Sequence, residues 1–317
     1  MSHEVETMMY ADSQGKPWHG LGTPVADGIS IDQAIVAAGL DWTVTPFNLE
    51  WVGPGGYRHG TEHYVQVRDS DNKVLGLTKA QYTPVQNREA FNFFQQILDD
   101  GQAVLDTAGS LKGGRLVWVL ARLTESSIEV GEGDRINNYC LLTTSHDGTT
   151  KLTGGFVGIR AVCANTVGAA LNSASSNLFK IKHVKGIHKT LDGMKQSLDV
   201  ARRDFVATAE VYTRLAESPA TTDDVKEMVK VVFKLTDEEL LAGNKTSSQI
   251  ITNFHTGRGS ELESAAGTAW GAYNALTEFT SHHYGSNADS RLQSLWYGAN
   301  RSKNEQALSF LREKVGV

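Results

Sequence analysis

The sequence predicts an α+β fold: an antiparallel sheet with a helix-strand-strand-strand-helix core, followed by a helical C-terminal region. Three observations carry this. Short runs of period-two alternation, rich in aromatic and branched residues, recur between Trp42 and Gly158, as half-buried strands require. Turn chemistry separates them at Gly53-Pro54-Gly55-Gly56, Asp69-Ser70-Asp71-Asn72 and Asp147-Gly148. From Leu191 onward apolar residues recur every three or four positions instead, which is the helical period. The chain divides accordingly into an N-terminal arm (1–20), an α+β core (21–215) that carries the expected binding surface, and a helical region (216–317).

In order, Trp18-His19-Gly20-Leu21-Gly22 reads as an arm with one large aromatic. Ser30 caps a short helix with Ile31, Ala34, Ile35 and Ala38 on one face and Gly39 as its stop. Strands follow over 42–52, 63–68 and 73–78, then a helix from Pro84 to Leu98 with Phe91, Phe94, Ile97 and Leu98 inward. Between Ala103 and Ala161 the run Leu116–Leu120 pairs back across Lys112-Gly113-Gly114, and Asp147-Gly148 joins 138–144 to 150–158 as a hairpin. A long amphipathic helix runs from Leu191 to about Ser218, and Thr221 starts the next one, with Val225, Met228, Val229, Val232 and Phe233 inward. Thr236–Glu239 and Ser260–Glu263 have the spacing of capping boxes and predict two more helix starts. Gly267 and Gly271, beside Trp270 and Tyr273, predict close approach to another backbone.

Net charge is −6, which argues against a general nucleic-acid binder. Its distribution argues otherwise. From Gly148 to Leu191 there is no Asp or Glu, and residues 151–214 carry 10 Lys and Arg against 4 acids. A basic middle between acidic ends can focus an anion on one surface, and His183 and His188 can add charge. Lys151, Arg160, Lys180, Lys182, Lys185, Lys189, Arg202 and Arg203 are the expected phosphate contacts, and Asn165 a hydrogen-bonding one. Single-stranded DNA is the expected partner.

Other chemistry is poorly supplied. No phosphate-loop or dinucleotide fingerprint is present, so ATP-driven activity and cofactors are not expected. His59 and His63 lie on a strand flank rather than at helical metal spacing. Cys163 has no histidine partner that the sequence can place. His282-His283 close a helix, where positive charge suits the dipole. No apolar run is long enough to span a membrane, and the N-terminus lacks a signal-peptide layout, so a cytoplasmic, non-enzymatic protein is expected.

Trp18-His19-Gly20-Leu21-Gly22, the segment Gly155 to Thr166, and Gly267-Thr268-Ala269-Trp270-Gly271-Ala272-Tyr273-Asn274-Ala275-Leu276-Thr277-Glu278 together resemble the phage- and plasmid-borne family of unknown function numbered 932. The helix-strand-strand-strand-helix order also resembles, more distantly, the core of phage single-strand annealing proteins. That second resemblance implies ATP-independent binding of single-stranded DNA, strand annealing in recombination, and a ring or filament homo-oligomer in the host cytoplasm. Two other classes stay open. One is a counter-defence or host-interaction protein whose basic face meets an acidic protein or a nucleotide signal. The other is a hydrolase using Cys163 or a histidine-bound metal.

Overall fold

A computed structural model of the chain describes residues 5–14, 21–160, 179–187, 198–286, 291, 294–295 and 298–317. It resolves two compact units. Unit 1 comprises residues 1–125, 140–156 and 177–201; unit 2 comprises 126–139, 157–176 and 202–317.

Unit 1 contains the expected core order. Helix α1 (Ile31–Ala37) starts at a capping box in which Ser30 accepts from the Gln33 amide and the Gln33 side chain accepts from the Ser30 amide. Strands β3 (Val44–Val52), β4 (Arg58–Arg68) and β5 (Val74–Lys79) form an antiparallel three-stranded sheet in that order. The helix expected to Leu98 is two short ones, α2 (Asn87–Asn92) and α3 (Gln95–Asp99). The break brings Phe91, Phe93 and Phe94 all into the core, which one uninterrupted stripe would not do.

A second sheet has seven strands: β1 (Val5–Ala11), β2 (Thr23–Val25), β6 (Ala103–Leu111), β7 (Leu116–Gly131), β8 (Asp134–Ser145), β9 (Leu152–Arg160) and β10 (Phe179–Ile181). Their order is β10-β9-β8-β7-β6-β1-β2. The expected β6–β7 hairpin is present, with Leu111 opposite Leu116. The segment read as an arm supplies β1, antiparallel to β6 and parallel to β2. Its sequence, Val5-Glu-Thr-Met-Met-Tyr-Ala, alternates too weakly to advertise a strand, and pairing on both sides decides it. Met9, Leu75, Phe91, Val117, Val119 and Leu142 close one core with the α1 residues Ala34 and Ile35. Each of the larger of these buried side chains contributes about 1.5–3 kcal/mol.

Unit 2 is helical, together with the ends of β7 and β8 and the turn between them that fall in 126–139. Helices α4 (Leu198–Glu217), α5 (Thr222–Phe233), α6 (Asp237–Leu241), α7 (Lys245–Thr256), α8 (Ala269–His282) and α9 (Ala299–Val315) are described. Thr221 and Thr236 cap as the sequence predicts, and Val225, Met228, Val229 and Val232 are buried. Ser260–Glu263 does not start a helix. That stretch stays in turns, and the cap moves to Thr268, which accepts from the Gly271 amide. The reason is Asp134, a fully buried carboxylate that accepts hydrogen bonds from the Ser264 hydroxyl and the Trp270 indole. Gly271 does meet backbone closely, since a Cβ there would collide with the Ala265 carbonyl, whereas Gly267 serves a turn at φ +67° with open space around it. His282 ends α8 but is not the expected cation. Burial, then Arg258, His283 and Arg291, push its pKa down to about 4.

Candidate nucleic-acid interface

Four of the expected cations converge. The hairpin at Asp147-Gly148 joins β8 to β9, and β10 pairs antiparallel with β9, Lys180 opposite Thr153 and Ile181 opposite Leu152. Lys182 directly follows β10 and Lys151 directly precedes β9, so both lie at the same end of that antiparallel pair. Lys185 follows in the turn after β10. All four side chains are exposed, and none makes an ion pair among the described residues. Among the described residues β10 is the edge strand of the sheet, and the lysines lie along it.

The turn that holds them is anchored rather than loose. His183 is buried between its lysine neighbours, stacks on Tyr82 at 5.0 Å, and its backbone carbonyl accepts from the Thr83 amide. Ile187 is in the unit 1 core. The Tyr82 hydroxyl donates to the Ser145 carbonyl just before the hairpin tip. That tip lies against β5: a Cβ on Gly76 would sit 2.5 Å from the Asp147 Cα, and Gly148, at φ +74°, approaches Thr78 and Tyr82. Only glycine at 76 permits this approach.

His183 does not add positive charge. Burial lowers its pKa to about 4, although the Thr83 bond and Asp147 pull the other way. His146 lies deeper, its Nε2 bonded to the Asn87 side-chain oxygen, and burial followed by His183 takes it to about 3. The positive charge of the edge is therefore that of its lysines.

The rest of the expected set is not brought into this view. Asn165 and Lys189 lie outside the described residues, as do His188 and Cys163. Arg160 falls at the end of β9, and Arg202 and Arg203 fall on α4, but their side chains are outside what is described.

The structure adds residues that sequence reasoning missed. Phe47, Trp51, Tyr57 and Leu77 of the three-stranded sheet and its turn are 55%, 53%, 74% and 54% exposed. Their signal was the apolar character of both parities in strands of so small a sheet. Elsewhere in unit 1, Asp106 occupies a bulge of β6, between the Leu105 and Thr107 pairs. It is fully buried, neither oxygen has a hydrogen-bond partner, and Arg122 stands 3.8 Å away. Burial, and secondarily Asp27, raise its pKa to about 7 against the pull of Arg122. Cys140 is fully buried, which pushes its thiol pKa up and leaves no nucleophile there. Among the described residues no three His, Cys, Asp or Glu side chains are placed to share a metal ion, and no helix is long and apolar enough to cross a membrane.

Compared with known proteins, the chain matches no curated protein and no solved structure. Residues 74–309, from β5 through most of α9, match the family described as Domain of unknown function (DUF932), and the chain belongs to that family.

Proposed function

We propose that this protein binds single-stranded DNA without ATP and promotes strand annealing, using the lysine edge of unit 1. One observation carries the reading: Lys151, Lys180, Lys182 and Lys185 gather, exposed and with no ion pair among the described residues, on one anchored edge in a chain that is acidic overall. Phosphates are the anions such a row fits, because charges spaced along an extended strand meet charges spaced along an extended backbone. An edge strand needs only a charge or two to resist pairing with another chain, and this cluster exceeds that need. A role in phage or plasmid recombination, with assembly into a ring or filament, belongs to the same proposal.

The test is fluorescence anisotropy of the purified protein on labelled oligothymidine of several lengths, across a salt series. Affinity that falls steeply with salt and rises with strand length supports the reading. No binding at low salt rejects it, and the lysine edge then faces an acidic protein or a small anion.

A further inference from the structure

The outer face of the three-stranded sheet has a composition unlike the chain around it. The pairing register places Phe47, Val65 and Leu77 in one row across the three strands, and His63 opposite Lys79 in the next. Strand alternation adds Trp51 and His59, which are themselves paired. The face carries aromatic and aliphatic side chains, and its titratable groups are His59, His63 and Lys79. No Asp or Glu lies on it, although residues 1–150 hold 19 acids against 10 Lys and Arg. Glu50 and Glu62 occupy the alternate positions, and Glu50 is countered by Arg58 at 3.5 Å.

On the opposite face Val44, Gln66 and Thr78 are turned inward at the core end, while Glu50, Val52, Arg58 and Glu62 are exposed at the far end. Leu75 reaches the core because it is the extra residue of a bulge, between the Gln66–Gly76 and Val67–Val74 pairs. That bulge turns Leu77 and Lys79 outward. The two-stranded end of β3 and β4 continues past β5 and closes in the turn that holds Tyr57. There the Trp51 indole already carries a flat ring: His59 is stacked on it at 4.6 Å with 24° between planes. Gly53 makes room for this stack, since a Cβ would come within 2.7 Å of His59 Nε2 and 3.2 Å of Trp51 Cζ3.

We infer that this face is a stacking platform for the unpaired bases of a nucleic-acid strand, with Phe47, Trp51 and Tyr57 as its rings. The inference rests on the single-strand reading of the lysine edge and gives it a substrate preference. Exposed flat rings accept bases of any sequence, and a face cleared of carboxylates accepts a phosphate backbone running beside them. Continuity with the lysine edge supports the same occupant. Lys79 ends β5, three residues before Tyr82, and Tyr82 stacks on His183 in the lysine turn. A duplex keeps its bases paired and offers the rings nothing to stack on.

The experiment compares the intact protein with Phe47→Ala, Trp51→Ala and Tyr57→Ala, each on oligothymidine and on duplex DNA of equal length across a salt series. Val231→Ala, at an equally exposed apolar position in α5 (53%), is the control. Each ring variant is expected to lose about tenfold or more in single-strand affinity, with the salt slope and duplex affinity unchanged and the control unaffected. Trp51→Phe, which keeps a ring, is expected to recover most of the loss; circular dichroism checks that each variant is folded. Salt-dependent binding by the intact protein with no loss in the ring variants overturns the platform and leaves the lysine edge standing. Equal loss on duplex and single strand also overturns it, as does a change in sedimentation without a change in affinity, which would make the face a contact between copies. No binding by any protein to any strand overturns both readings.

Discussion

Asp106→Asn tests the electrostatics of unit 1 at its most exacting point. The carboxyl is fully buried at a bulge, both oxygens lack hydrogen bonds, and its pKa is raised from an ordinary 3.8 to about 7, mainly by burial. Below pH 3.8 the folded and unfolded chains both hold the proton. Between 3.8 and about 7 only the folded chain keeps it, so stability falls as pH rises; above the folded pKa the loss is complete and constant. The shift spans about three units at about 1.4 kcal/mol each, so the ionised side chain costs on the order of 4 kcal/mol at neutral pH and above. Asparagine retains the shape and does not titrate. Its buried amide carries a cost of about 1–3 kcal/mol that is much the same at every pH, and the attraction of Arg122, felt only by the ionised carboxylate, is already contained in the raised pKa. The variant's stability relative to the native chain should therefore climb by about 4 kcal/mol from pH 4 to pH 8, levelling off above 7. Urea unfolding of both proteins at half-unit pH steps measures this directly. A difference that does not change with pH would refute the reasoning.

Replacing Lys180, Lys182 and Lys185 together by Glu should weaken single-strand binding at every salt concentration and reduce the slope of log affinity on log salt by about two; anisotropy reads the first, and an unchanged melting temperature shows that the fold survives. Asp134→Ala removes the acceptor for Ser264 and Trp270 and should destabilise unit 2 by about 3 kcal/mol, seen as earlier loss of far-ultraviolet dichroism on heating; melting indistinguishable from the native chain would contradict it. Gly76→Ala drives a methyl against the Asp147 backbone and should cost about 1–3 kcal/mol, with faster amide exchange in the 145–150 hairpin than in α5. His146 and His183 have folded pKa values of about 3 and about 4, below an ordinary 6.5, so their contribution is present above pH 6.5 and is lost as pH falls toward those values. Asp106 acts in the opposite sense over that range, and His183→Gln should therefore flatten the acid decline in the urea midpoint between pH 6.5 and 4.5.

Much of the secondary structure was legible because local signals agreed with one another. Ser30, Thr221 and Thr236 cap helices where their spacing says they should, and the β6–β7 pairing follows from Lys112-Gly113-Gly114. Reading failed where a distant partner overruled a local motif. Ser260–Glu263 has the spacing of a cap, yet the buried Asp134 takes Ser264 and Trp270 and delays the helix to Thr268. Val5–Ala11 becomes a strand because β6 and β2 flank it, and His282 and His183 lose their expected charge to burial.

The candidate interface divides the same way. Which lysines carry the charge, and that no carboxylate interrupts residues 148–191, is written in the chain, because charge is a property of residue type. That Lys180 and Lys182 come to the same end of the pair as Lys151 depends on the register of β9 and β10, which joins residues far apart in the chain. The outward turn of Phe47 and Leu77 depends on which face of β3, β4 and β5 the core covers, and on one extra residue at Leu75. Alternation divides a strand's side chains between two faces, but burial, decided only when the chain closes on itself, selects the face that meets solvent.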